Sequence, residues 1–177
     1  MDAHKLKDII SRKYQLECEK DSHPKNKALV KTLDTPIDTK TEFIDLIFRG
    51  NNKYHFTSRL VDKDLINLCA AFEESASVLR HIDLSFNLIT DESVKILAKL
   101  LRNCSELQSL NLQGNDLESS GAQAISEALQ ENKTIQYLNL SFNRIKTDGA
   151  MAIVELLFTN RTLRELNLGN LTFFYIF

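Results

Sequence analysis

Residues 79–106 read LRHIDLSFNLITDESVKILAKLLRNCSE. Residues 107–134 read LQSLNLQGNDLESSGAQAISEALQENKT, and residues 135–162 read IQYLNLSFNRIKTDGAMAIVELLFTNRT. Leu79, Leu107, Ile135 and Leu163 therefore recur every 28 residues, and a fourth line breaks off after LRELNLGN. A fixed period of this length marks a solenoid, whose units bury their apolar faces only against their neighbours.

Each line changes period once. Leu79, Ile82 and Leu84, like their counterparts in the later lines, follow L-x-x-L-x-L, which predicts a short strand with one buried face. Asn87, Asn115 and Asn143 come next, where an amide side chain can satisfy backbone groups beside a core. Ile89, Leu117 and Ile145 follow. Helical spacing then takes over: Val94, Leu97, Ala98, Leu101 and Cys104; Ala122, Ile125, Ser126, Leu129 and Asn132; Ala150, Ile153, Val154, Leu157 and Asn160. Gly121 and Gly149 open two of these helices, and Ser93 takes that place in the first.

These positions resemble the ribonuclease-inhibitor-like leucine-rich repeats, whose pattern is L-x-x-L-x-L-x-x-N-x-I/L-x-x-x-G-A-x-x-L-x-x-x-L. Ribonuclease inhibitor, the sensor ends of NOD-like receptors, tropomodulin and the GTPase-activating protein of Ran share it. The resemblance implies an α/β fold, a right-handed β-α superhelix with a parallel concave sheet and convex helices. It names no function, because one fold hosts unrelated activities.

Working outward, residues 1–50 are expected to form a helical N-terminal cap. Residues 4–20 place Leu6, Ile9, Ile10 and Tyr14 on one helix face, residues 28–33 fit a second short helix, and DTKTEFIDLIFRG (38–50) is expected to be a third, buried helix stopped by Gly50. Residues 51–78 fit a degenerate repeat. A shift of 28 sets Tyr54 on Ile82, Phe56 on Leu84, Val61 on Ile89 and Cys69 on Leu97, with Arg59 where Asn is expected. The solenoid then spans 51–170, with full repeats at 79–106, 107–134 and 135–162 and a partial one at 163–170. Residues 171–177, LTFFYIF, form an apolar tail, the reverse of the polar cap that usually closes a solenoid. Two readings stay open for it: packing back on the last helix, or the end of a shortened form of a longer repeat protein.

Composition narrows the function. The net charge of −2 gives no electrostatic case for nucleic acid or a membrane surface. The start of the chain has no apolar run, and Cys18, Cys69 and Cys104 are odd in number and widely spaced. Both features point to reduced thiols and the cytoplasm, with nucleus and cilium as alternatives. His4, His23, His55 and His81 have no zinc-ligand spacing with the cysteines. The repeat register makes Cys69 and Cys104 structural, and no phosphate loop, dinucleotide fingerprint or nucleophile elbow occurs. The sequons at Asn103, Asn132, Asn139, Asn160 and Asn170 are read as unglycosylated.

The remaining candidate site is the concave sheet face. Strand residues between the buried leucines point to it: His81, Asp83 and Ser85; Ser109, Asn111 and Gln113; Tyr137, Asn139 and Ser141; Glu165, Asn167 and Gly169. Phe86 and Phe142 stand just after two strands, where the middle repeat has Gly114. Aromatics beside a hydrogen-bonding surface suit a protein partner. The expectation is a non-enzymatic module that binds another protein, with no cofactor, metal or small-molecule substrate. An enzyme regulator such as a GTPase-activating protein, or a component of a cytoskeletal or axonemal assembly, is the alternative.

Overall fold

The computed structural model describes residues 3–35, 43–51 and 57–169. Two helices come first, α1 (Ala3–Lys20) and α2 (Lys27–Asp34). Strands and helices then alternate: β1 (Ile44–Ile47), α3 (Asp62–Phe72), β2 (Leu79–Asp83), α4 (Asp91–Arg102), β3 (Ser109–Asn111), α5 (Ser119–Glu131), β4 (Tyr137–Asn139), α6 (Thr147–Thr159) and β5 (Glu165–Asn167). A 3-10 turn, Ala76–Val78, leads into β2.

The five strands form one parallel sheet in chain order. Ile82, Leu110, Leu138 and Leu166 stand in register, so the 28-residue period of the sequence becomes a column of side chains. Helices α3 to α6 stack side by side on the other layer. Leu79, Ile82, Leu84, Ile89, Val94, Leu97 and Leu101, with their counterparts in the next repeat, fill the space between the layers. Each such Leu contributes about 1.5–3 kcal/mol of apolar burial, which no single repeat obtains alone.

Asparagine closes the turn after each strand. Asn115 Nδ2 donates to the carbonyls of Leu84, Leu112 and Gln113, while its Oδ1 accepts from the Ile89 N–H. Asn87 and Asn143 do the same one repeat earlier and later, their Oδ1 atoms taking the N–H groups of Leu60 and Leu117. One buried amide thus ties its own turn to the preceding repeat. A second set lies at the turns into β4 and β5. Asn132 Nδ2 donates to Leu101 and Cys104, and Asn160 Nδ2 to Leu129, while their Oδ1 atoms accept two N–H groups each from the residues that follow. Both are buried, so the hydrogen bonding explains these two sequons.

Two expectations change in the first repeat. Residues 44–47 are a strand, not part of a helix. Ile44, Leu46 and Phe48 turn inward while Asp45, Ile47 and Arg49 turn out, a period of two that beats the helical spacing of Phe43, Ile44, Ile47 and Phe48. Pairing with β2 decides the ambiguity, because Leu46 lies opposite Ile82. The strand of the degenerate repeat is therefore β1, and a boundary at residue 50 cuts through one strand–helix unit. Tyr54 and Phe56 lie outside the described residues.

The register also differs. The Leu60 N–H, not that of Val61, meets the asparagine as Ile89 does, and α3 starts 29 residues before α4. Cys69 consequently matches Ala98 rather than Leu97.

The N-terminal helices cover the first repeat. Leu6, Ile10, Tyr14 and Cys18 are buried, whereas Ile9 faces out. Tyr14 donates its hydroxyl to Asp64 Oδ1 of α3 at 2.8 Å. Burial and the Asp64 charge push its pKa up and keep the phenol protonated. Lys7 donates to the carbonyls of Thr32 and Thr35, tying α1 to the end of α2, and burial lowers its pKa.

Candidate functional site

The concave face is built from columns that run across the strands. One column is Asp45, His81, Ser109, Tyr137 and Glu165. His81 Nδ1 lies 2.9 Å from Ser109 Oγ, and the column ends with Glu165 exposed on β5. A second column is Ile47, Asp83, Asn111, Asn139 and Asn167. Its side chains fold back on their own strand ends. Asp83 Oδ1 accepts from the Ser85 N–H, Asn111 Oδ1 from Gln113, Asn139 Oδ1 from Ser141 and Asn167 Oδ1 from Gly169. Asn111 Nδ2 also donates to Asp83 Oδ1, at 3.1 Å.

This back-bonding corrects part of the expected surface. Ser85, Asn139 and Ser141 are buried. The Asn139 oxygen takes both the N–H and the hydroxyl of Ser141, so these groups answer each other rather than solvent. Asp83 is largely covered as well, with Arg49 Nε donating to its Oδ2 at 2.6 Å. His81, Phe86, Ser109, Asn111, Gln113 and Tyr137 remain partly accessible, and Phe142, Glu165 and Asn167 are exposed.

Phe86, Gly114 and Phe142 occupy one position in successive repeats, and all three are left-handed, with φ of 60°, 64° and 57°. Glycine accepts that conformation freely; a bulky side chain there is strained by about 1–2 kcal/mol. The two phenylalanines differ in what offsets it. The Phe86 ring lies over Gly114 so closely that a Cβ on Gly114 would fall 2.5 Å from it. Phe142 leaves 52% of its surface in solvent.

Asp45, Ile47 and Arg49 also belong to this surface, outside the residues expected from sequence, because the apolar spacing of their segment also fits a helix. Their alternation with Ile44, Leu46 and Phe48 was the available signal. The rim carries two further apolar residues, Val61 and Leu88, which form an isolated parallel bridge.

Burial pushes the Cys69 and Cys104 thiols up to about 12, so both stay protonated at neutral pH and are poor nucleophiles. Among the described residues no group of three His, Cys, Asp or Glu could hold a metal ion. No helix among them is long and apolar enough to cross a membrane.

The comparisons agree with this architecture. A family profile described as Leucine Rich repeat matches residues 75–98, 103–126 and 131–154. No curated protein sequence is significantly similar to the chain. Among solved structures, Leiomodin-1 Actin-Binding Site 2 (ABS2) is similar with a TM-score of 0.56 and 22% identity, over 79% of this chain and 74% of that one. At that identity the likeness speaks for the fold alone. The repeat matches, the parallel five-stranded sheet and the structural likeness agree: the chain folds as an α/β solenoid of leucine-rich repeats.

Proposed function

We propose that this chain is a non-catalytic module that binds another protein across its concave face, with Phe142 as the anchor and Tyr137, Asn111, Gln113 and Glu165 around it. The observation that supports this reading most is Phe142 itself. It holds an exposed ring in a backbone conformation that glycine would adopt without strain, and glycine stands there in the repeat before. Strain kept at an exposed aromatic fits a contact residue.

The test compares binding and stability. Phe142→Gly should keep stability within about 1 kcal/mol of the parent, since strain relief offsets lost packing and a looser unfolded chain. It should weaken a partner by at least about tenfold, whereas the convex Gln123→Ala should not. Equal retention of bound proteins by Phe142→Gly and the parent would sink the reading.

The 28-residue period further supports placing the repeats in the ribonuclease-inhibitor-like subfamily. The three free, buried cysteines fit a reducing compartment, and we place the protein in the cytoplasm. Fractionation of cells expressing the tagged chain checks that. Because the similar leiomodin structure is named as an actin-binding site, the first partner to assay is actin, by co-sedimentation of filaments and by pull-down of monomers. Loss of binding in Phe142→Gly would assign that contact to the concave face.

A further inference from the structure

The concave face is divided by charge. Among the described residues its carboxylates lie toward the two ends of the sheet, and each has a guanidinium near it. Arg49 Nε donates to Asp83 Oδ2 at 2.6 Å, and Arg80 Nε stands 3.6 Å from Asp45 Oδ1. At the other end Glu165 follows Arg164 in the chain, and both are exposed. The rim next to Phe142 is neutral in the same way. Arg144 Nη2 lies 3.0 Å from Asp116 Oδ1, and Lys146 Nζ donates to Glu118 Oε2 at 3.1 Å.

Between these ends β3 and β4 bring no charge. Asn111, Asn139 and Ser141 spend their polar groups within the chain, and Ser109 meets His81. Two half-buried groups are left over. The Gln113 carboxamide and the Tyr137 hydroxyl have no hydrogen bond among the described residues.

A partner that covers these two groups must supply them with donors and acceptors, because polar groups shut away from water unpaired are costly. Charged groups are poor mates. They would have to break ion pairs already made, or lie desolvated over a middle that has no counter-charge. Backbone amides are neutral and fill both roles. A helix spends its amides on itself, whereas an extended segment leaves them free. Four strand spacings separate β1 from β5. That is about 19 Å, a width that about six extended residues cross.

We infer that the partner presents an uncharged extended segment, whose backbone amides meet Gln113 and Tyr137 and whose apolar side chain packs on Phe142. The assignment rests on concave-face binding with Phe142 as its anchor, and it adds the chemistry and the shape of what is bound.

Selection of random linear peptides, displayed on phage, against the full chain tests it. The enriched sequences are expected to carry a large apolar residue and no net charge. Their affinity should change less than about twofold between about 0.05 and 0.5 M salt. Tyr137→Phe and Gln113→Ala should each weaken them about fivefold, and Phe142→Gly at least about tenfold, with the circular dichroism unchanged. Glu165→Gln should leave them as they are. Enriched peptides that are charged and released by salt would overturn the proposal, as would peptides indifferent to both Tyr137→Phe and Gln113→Ala. Failure to enrich any linear peptide would also overturn it, while leaving a folded partner open to the concave face. Peptides that bind Phe142→Gly as well as the parent would sink the concave-face reading together with it.

Discussion

At the scale of single residues, two asparagines separated by four positions do different work. Asn115 is buried, and its loss strands the Ile89 N–H and carbonyls of two repeats. Asn111 is half-buried and bonds to Asp83 and to the Gln113 N–H, near water that can replace them. Unsatisfied buried groups cost about 1–3 kcal/mol each, a net hydrogen bond about 1 kcal/mol. Asn115→Ala should therefore destabilise by about 2–4 kcal/mol and Asn111→Ala by about 1 kcal/mol. Denaturant melts with equal midpoints would contradict these roles. The sequence pattern alone made Asn111 a free surface residue. What it could not show is that a polar side chain at a strand end accepts from the backbone N–H two residues on. The same local bonding removed Ser85, Asn139 and Ser141 from the surface while Phe142, at a position where another repeat has glycine, stayed on it.

At the scale of elements, the helices are braced through their first turns. Asp62 at the start of α3 accepts from the Thr90 N–H, the Thr90 hydroxyl and the Ser93 hydroxyl of the next repeat. Asp91 at the start of α4 accepts from the Glu118 N–H and the Ser120 hydroxyl, so tightly that a Cβ on Gly121 would come 2.3 Å from its oxygen. Burial opposes the charge of Asp62, but the hydroxyls and N–H groups outweigh it and hold the carboxyl below its ordinary range. A depressed folded pKa stabilises the protein above the unfolded pKa, and that stabilisation disappears as pH falls through the folded value. The stability gap between the parent and Asp62→Asn should be constant near neutral pH and shrink in acid, below about pH 4. A gap that widens in acid would refute the assignment. Elements with three aligned copies were legible from spacing. β1 was not, because a single stretch of six residues, five of them apolar, fits either period and only pairing with β2 selects one. The seven extra residues between Leu46 and Leu60, relative to Ile82 and Ile89, hid its register as well.

At the scale of the whole molecule the two ends are unlike. The first repeat is sealed by α1 through Tyr14, Ile10 and Leu6, while α6 presents side chains that every earlier helix covers. The asparagine turns carry this asymmetry into the backbone. Each repeat relies on the one after it for a hydrogen-bond acceptor: Leu60 on Asn87, Ile89 on Asn115, Leu117 on Asn143. Ile145 is next in that series, and 28 residues on from Asn143 the sequence has Leu171, which has no side-chain oxygen. The described turns thus form a zipper in which each tooth is held by the next, and opening from the carboxyl side is expected to pass back one tooth at a time. Native-state hydrogen exchange should rank the three amides, with Ile145 fastest, Leu117 slower and Ile89 slowest. In a zipper of this kind, a ligand that grips the last tooth slows exchange all the way back to Ile89 without touching it.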